Sequence, residues 1–383
     1  MGRGYIKKNY IYPKKRDVVF ILGAGASYAN GAPIQSEIVP IILSDKFDKI
    51  KNSKIGQQFT KFLIDNFFFD KNLRLYPTLE EIFAFLDFFI NQNRNLNNKY
   101  DLSMIKATKE NLIKLIHFIF SYYTNFPFTD SNKDSIYRKF WEYIKNYNRN
   151  ISIITLNYDT LLEEAFAFLY PDYSAIDYCI KLINYDYESG LIDPFNWWDN
   201  PREELIVWGD SNPIPIKILK IHGSINWKYC STCKKILLTP WQTNIDLNIG
   251  SFYEPIFEIN NPLIYCCPYD KNNFESLIIQ PSYIKELSNP IIYTIYKEAL
   301  NEIKKSKKIV FIGYSFPEAD IHIKALLKQG LINNKKIIVM DIDNSEKFKY
   351  RFVSLSSKVE FFNLPFEELL ENNKLMEYIL IKS

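Results

Sequence analysis

Long apolar runs are missing from this sequence. No stretch approaches the roughly 18 consecutive apolar residues that a membrane helix needs, so a spanning segment is excluded. Met1 to Arg16 is mildly basic without an apolar centre, which predicts neither a signal peptide nor an anchor and puts the expected location in the cytoplasm. Excess charge is missing too. The 47 basic and 44 acidic residues leave +3, which gives no footprint for direct nucleic-acid binding. Cysteine is scarce and odd in number: of five, four lie between Cys230 and Cys267, which points to a metal site in a reducing compartment more than to a disulfide framework. Histidine occurs three times. What remains is a chain of 383 residues, 47% hydrophobic and 24% charged, expected to be globular with one large domain plus insertions, or two domains.

The chain is organised around Asp17 to Ser27, D-V-V-F-I-L-G-A-G-A-S. Val18 to Leu22 is continuously apolar with β-branched members, the pattern of a strand buried on both faces. Gly23 and Gly25 then allow a tight turn and close backbone approach. With a helix starting near Ala26 or Ser27, its free N–H groups would face whatever lies over Gly23, Ala24, Gly25, Ala26 and Ser27, a place that suits a pyrophosphate. A plain strand-to-helix turn is the other reading.

Helical periodicity follows. Thr78-Leu79-Glu80-Glu81 is a capping box opening Ile82 to Ile90, and Met104 to Tyr123 and Ile136 to Ile144 continue the i, i+3, i+4 spacing. His117 lies inside one of these helices with no acidic or cysteine neighbour at ligand spacing, so it reads as structural. A second strand, Ile151 to Thr155, runs into Leu156-Asn157-Tyr158-Asp159, either a turn that caps the next helix or part of a site. Ala175 to Pro215 is irregular and predicts long loops. Ile216 to Ile221 then delivers His222-Gly223-Ser224. Cys230-x-x-Cys233 is half of a tetrahedral zinc site. Cys267-x-x-Asp270 repeats the spacing with a carboxylate in the last place, while Cys266 offers another sulfur, and a metal-free knuckle is the alternative. Lys308 to Ile312 predicts a strand ending in Gly313-Tyr314-Ser315. The helix Ile321 to Gly330 carries His322 on its first turn as a surface or packing residue. The strand Lys336 to Met340 ends in Asp341, and Val359 to Phe362 with a helix from Phe366 finishes the chain.

Apolar strands separated by helices or long connections predict an α/β fold with a doubly wound parallel sheet. Residues 1–40, 151–225 and 276–383 form the core in this reading, 41–150 a helical insertion, and 226–275 a small cysteine-knuckle module. Ligands of such sheets bind at the carboxyl ends of the strands. Five strand ends carry chemistry: Gly23 to Ser27, Asn157 with Asp159, His222, Gly313 to Ser315, and Asp341.

In order and spacing these segments resemble the sirtuins, across nearly the whole chain outside the helical insertion. The resemblance implies a Rossmann-like core, NAD as substrate and cleavage of its nicotinamide–ribose bond. Carried over, Asn157 would hold the ribose and position the attacking water, and His222 would be the general base. Asp159 would orient that pair, the turn Gly23 to Ser27 with Gly313, Tyr314 and Ser315 would cradle the phosphates, and Asp341 would hold the adenosine ribose. Histidine suits the base, since its ordinary pKa is near neutrality. Two departures stand out. Tyr28-Ala29-Asn30-Gly31-Ala32-Pro33 lacks the D-F-R of protein-deacylating sirtuins, and Leu156 replaces the glutamine before the asparagine. With the insertion and the G-Y-S-F-P-E-A-D form, the chain looks like the bacterial sirtuin-like NADases of antiphage defence. These consume NAD with water and act by abortive infection. A protein deacylase and a non-catalytic NAD or ADP-ribose sensor are the alternatives. Nothing after Phe366 reads as a sensor, so control is expected from self-assembly into a homo-oligomer or from a separate protein. A HerA-type ATPase is the first candidate and a short argonaute the next. The insertion would supply that surface, and its deletion should leave a folded, unassembled core.

Overall fold

The computed structural model describes residues 5–8, 12–124, 135–167, 176–183, 205–208, 215–239, 244–254, 263–264, 266–283, 289–332 and 335–381. Most of the loop region expected between Ala175 and Pro215 lies outside the described residues.

The buried apolar runs pair into one seven-stranded sheet. In chain order its strands are β1 (Arg16–Leu22), β2 (Ile151–Thr155), β3 (Ile176–Asp177), β4 (Ile216–Lys220), β5 (Ser306–Ile312), β6 (Lys336–Met340) and β7 (Val359–Phe362). Their order across the sheet is β7-β6-β5-β1-β2-β4-β3, and every neighbouring pair is parallel. Phe20 in β1 sits opposite Val310 of β5 on one side and Ile153 of β2 on the other. With both flanks occupied by parallel strands, β1, β2, β4, β5 and β6 are buried along most of their length. The chain winds from β1 outward through β2 to β4, then returns to the other side of β1 as β5. The winding therefore reverses beside β1, where a doubly wound sheet opens its ligand crevice.

The chain divides into two compact units. The first comprises residues 1–31, 127–223 and 287–383, and the second 32–126 and 224–286. The first unit holds the sheet and the helices Pro290–Lys305 and Asn373–Leu380, both against β1. It also holds the helix Ile136–Tyr147, which the sequence groups with the insertion. Phe140 of that helix meets Phe20 edge-on at 5.1 Å, and Trp141 Nε1 donates to Leu162 O at 2.8 Å. A deletion running to Asn150 would therefore remove core side chains. The second unit contains the helices Lys54–Asn66, Leu79–Gln92 and Leu102–Thr124 together with short antiparallel strands. Thr78 caps the second of these by accepting from Glu81 N at 3.1 Å. His117 is fully buried there, with Nδ1 3.1 Å from Ser276 Oγ. Among the described residues no helix is long and apolar enough to cross a membrane.

A buried ionic brace joins the lower ends of the central strands. Glu302, on the helix Pro290–Lys305, accepts from Arg16 Nε of β1 at 2.6 Å, Ser152 Oγ of β2 at 2.6 Å and Lys217 Nζ of β4 at 2.9 Å. The Tyr12 ring faces both cations, at 5.2 and 4.6 Å. Burial pushes the Glu302 carboxyl up, but Arg16, Lys217 and Ser152 outweigh it and hold the group below its ordinary 4.5. Glu302→Gln leaves buried Arg16 without its anion and Lys217 with Glu298 alone, at 3.2 Å. We expect a loss of about 3–5 kcal/mol in urea unfolding at neutral pH. A carboxyl with a depressed folded pKa stabilises above its unfolded value, and that stability disappears as pH falls through the folded one. Below about pH 4.5 the wild type should therefore approach the variant, and a pH-independent gap between them would contradict the brace.

Candidate active site

The helix after β1 begins at Ala24, not near Ala26 or Ser27, and runs only to Tyr28. Contacts with the next strand end explain the early start. Gly23 N donates to Ile312 O at 3.0 Å, Gly25 N to Gly313 O at 2.9 Å, and Gly313 N to Met340 O at 2.9 Å. A Cβ on Gly23 would lie 2.5 Å from Gly313 O, and one on Gly313 would lie 2.3 Å from Ala26 N. Gly313 also has φ +59, a conformation that costs other residues about 1–2 kcal/mol. So the glycines let two backbones touch, and the Gly25 N–H is used within the protein.

Tyr314 turns its side chain inward, its hydroxyl donating to Asp320 Oδ2 at 2.8 Å. Only its backbone lies along the strand-end edge. Ser315 is exposed, and its carbonyl accepts from Arg351 Nη1 at 2.8 Å, as does that of Phe316 at 3.2 Å. Phe316, at φ +51, is held in this strained turn by ring contacts to Tyr314 and Phe352 at 5.5 and 5.3 Å. Arg351 is a cation beside the second turn that the sequence reading did not single out. Its signal is its place in the last turn of the helix Glu346–Val353, which immediately follows the acidic turn after β6.

Asn157 lies beyond the end of β2, 8% exposed. Its Nδ2 donates to Gly23 O at 2.9 Å and Ser27 Oγ at 3.0 Å. Both amide hydrogens are thereby used, and Oδ1 is left as an acceptor. Ser27 is buried, and its Oγ lies 2.8 Å from Tyr137 OH. Its side chain thus serves Asn157 rather than a ligand. Tyr137 belongs to the helix assigned from sequence to the insertion, so its part in this network was missed. Asp159 is buried beneath the turn. Burial pushes its carboxyl up, against the pull of Lys220 and a hydrogen bond from Ser27. Its contacts run to Ser27, to Leu161 N at 3.2 Å and, through its carbonyl, to Lys220 Nζ at 2.5 Å. It therefore reaches Asn157 by way of Ser27. Lys220 also pairs with Glu163 at 2.8 Å, both fully buried.

His222 follows β4 and is 7% exposed. Its Nε2 lies 3.0 Å from Nε2 of His322, with the two rings 27° from parallel. This corrects the reading of His322 as a surface or packing residue: the first turn of the helix Ile321–Gly330 aims it at the sheet edge. Asp320 completes the cluster, the nitrogen and oxygen atoms of the three residues all lying within 4.8 Å of one another. Asp341 ends β6, next to β5. Burial pushes its carboxyl up, and it accepts from Asp343 N at 3.0 Å. Gly23, Asn157, His222, Gly313 and Asp341 therefore share the carboxyl edge of one sheet within one unit.

The second unit gathers Cys230, Cys233, Cys267 and Asp270, whose donor atoms all lie within 4.8 Å of one another. Cys233 and Cys267 sulfurs are 3.6 Å apart, and Cys230 Sγ is 3.2 Å from Asp270 Oδ2. Of the two alternatives, Asp270 joins the cluster and Cys266 instead bridges to Asn273. The two knuckles match: each first cysteine accepts from a lysine N–H four residues on at 2.9 Å, and Lys234 and Lys271 both have φ +62. Burial, with neighbouring thiols adding, pushes Cys267 up to about 12. The backbone N–H of Asn272 and the Cys230 thiol hold Asp270 down. The set and its spacing fit a divalent cation that would ionise the thiols.

Gly313→Ala should force the two turns apart. Hydrogen–deuterium exchange of the amides at 23–28 is expected to speed up at least about tenfold, the equivalent of 1.4 kcal/mol, while those of the helix Leu102–Thr124 keep their rates. Unchanged exchange at 23–28 would contradict the contact.

Residues 151–341 match the family model described as SIR2-like domain. No protein of curated function matches the chain. Among solved structures, a Sir2 homologue with 2′-O-acetyl ADP-ribose aligns at 12% identity over 95% of this chain and 92% of its own, with a TM-score of 0.42. A Sir2 homologue in complex with NAD aligns at 11% identity over 98% and 97%, with a TM-score of 0.41. Sir2 with a p53 peptide and NAD+ aligns at 13% identity over 95% and 93%, with a TM-score of 0.40. The segment 151–341, which supplies Asn157, His222, Gly313 and Asp341, is thus the part of the chain that is similar to a SIR2-like domain.

Proposed function

We propose that this protein is an NAD glycohydrolase that cleaves the nicotinamide–ribose bond with water. The observation that carries this reading is the meeting of Asn157, His222 and two glycine turns on one sheet edge, most of it within the segment that matches the SIR2-like model. In the reaction the C1′–N bond breaks and its electron pair leaves on nicotinamide. Water forms the new C1′–O bond and gives up one proton, so the products are nicotinamide, ADP-ribose and H+. The transition state is a sugar cation, which calls for held ribose hydroxyls and a positioned base. Asn157 offers Oδ1 as the acceptor for a ribose hydroxyl or the water, and His222 takes the proton. The two turns and Arg351 line the phosphates, and Asp341 holds the adenosine ribose. Leu156 and the missing D-F-R favour water over an acyl-peptide as acceptor.

As an NAD-depleting effector of bacterial antiphage defence the enzyme needs a gate. Assembly of the chain with itself, or with a HerA-type ATPase or a short argonaute, is the proposed one. The helical second unit suits this role, with Ile64, Phe68, Leu73 and Phe88 exposed to 61, 80, 67 and 54%. Purified chain, alone and with the partner ATPase, should release nicotinamide and ADP-ribose from NAD without any acylated peptide. His222→Ala and Asn157→Ala should each lower the rate by at least about 10²-fold and relieve toxicity on expression. Activity surviving in both variants, or a native mass that stays monomeric with and without the partner, would count against the corresponding half of the proposal.

We further assign zinc to Cys230, Cys233, Cys267 and Asp270, in a structural role away from the reaction. The purified protein should carry one equivalent of zinc by plasma mass spectrometry, and Cys267→Ser should lose it together with the protection of the amides at 228–235. A metal content unchanged by that substitution would refute the assignment.

A further inference from the structure

The contact between His222 and His322 goes beyond a single general base. We propose that His322 is the proton-holding partner of His222, so that the edge works through a histidine pair steadied by Asp320. This rests on the glycohydrolase reading above. The two rings come from separate elements, the end of β4 and the first turn of the helix Ile321–Gly330, and meet Nε2 to Nε2 at 3.0 Å. At that separation one hydrogen lies between them, since two N–H groups would collide and two lone pairs would repel. Two positive charges so close also repel, so the pair carries at most one. Asp320, 5% exposed and with a carboxylate oxygen within 4.8 Å of one nitrogen of each ring, is the anion that settles that charge. It belongs to the same turn as His322 and draws the proton there, which leaves His222 Nε2 as the unprotonated nitrogen of the contact.

Phenols also face the pair among the described residues. Tyr158 faces His222 at 6.4 Å, and Tyr296 stacks on His322 at 6.3 Å while its hydroxyl donates to the His322 carbonyl. Tyr314 OH donates to Asp320. Burial pushes the Tyr296 phenol up to about 12 and holds that of Tyr314 above its ordinary value, so both stay neutral and Asp320 supplies the negative charge. In turnover the attacking water's O–H bond breaks and its proton joins Nε2 of His222, while the His322 ring turns its own N–H away from His222, since two N–H groups cannot face each other at that separation. The pair then holds one extra proton, which leaves to solvent after the products. His322 acts through His222 and is a positioning residue.

Three histidines in the chain make the test direct. In protein labelled only at histidine, NMR titration of the wild type should show His222 and His322 changing together with one shared midpoint, with His117 apart. In His322→Gln, His222 should titrate alone in one step. For NAD cleavage the same variant should lose about 10²-fold in kcat, keep its KM for NAD within about threefold of wild type, and show its acid limb moved to higher pH, because His222 must now hold any proton itself. Identical His222 titration in wild type and His322→Gln, or an unmoved acid limb, would overturn the proposal. So would an equivalent of metal beyond the cysteine cluster that both His222→Ala and His322→Ala remove. If the wild type proves inactive on NAD, the NMR coupling still decides the pair, and only the glycohydrolase reading falls.

Discussion

Everything at the candidate site depends on the backbone contact between the turn at Gly23 to Ala26 and the turn at Gly313. A side chain on Gly23 or Gly313 would overlap peptide atoms at 2.5 Å or less, and nothing flexible stands there to yield. The contact sets how closely the ends of β1 and β5 approach where the winding reverses. Two lines of hydrogen bonds start from it. One runs from Gly23 O to Asn157, Ser27 and Tyr137. The other runs from Tyr314 to Asp320, beside His322 and His222. The positions of the proposed acceptor and base are thus consequences of where two glycines touch.

The two ends of the sheet treat buried charge differently. At the lower end Glu302 has Arg16, Lys217 and Ser152, and its carboxyl is held down. At the upper end Lys220 serves both Glu163 and the Asp159 backbone, and burial leaves both carboxyls pushed up. Saturated pairing belongs to a part that must stay fixed. Perturbed carboxyls and a strained Phe316 belong to the end where chemistry is proposed.

Much of this fold could be read locally. The largely apolar runs of β2 and β6, which have parallel neighbours on both flanks, and of the edge strand β7 could be read off the sequence to the residue. The edge strand Ile176–Asp177 is too short to leave a pattern. The helix Ile136–Tyr147 was legible as a helix, but its membership of the sheet unit was not, since Tyr137 and Phe140 meet partners more than a hundred residues away. His322 was misread for the same reason. On its own helix it is one polar residue on a first turn, and only the packing of that helix near β4 gives it His222. Asn157, His222 and the glycine turns were legible because strand ends in a parallel sheet share an edge, which turns a one-dimensional list into a site. Knuckle spacing left Asp270 and Cys266 both open beside Cys230, Cys233 and Cys267, and the fold brings Asp270 to them.

The central claim is that water is the acceptor at this site. The most direct measurement is NAD turnover in H₂¹⁸O, with no acylated peptide present and with the proposed ATPase partner supplied, followed by mass spectrometry of the ribose product. The account predicts nicotinamide together with ADP-ribose carrying one ¹⁸O. NAD that stays intact until an acylated peptide is added, with the acyl group then appearing on ADP-ribose, would contradict it.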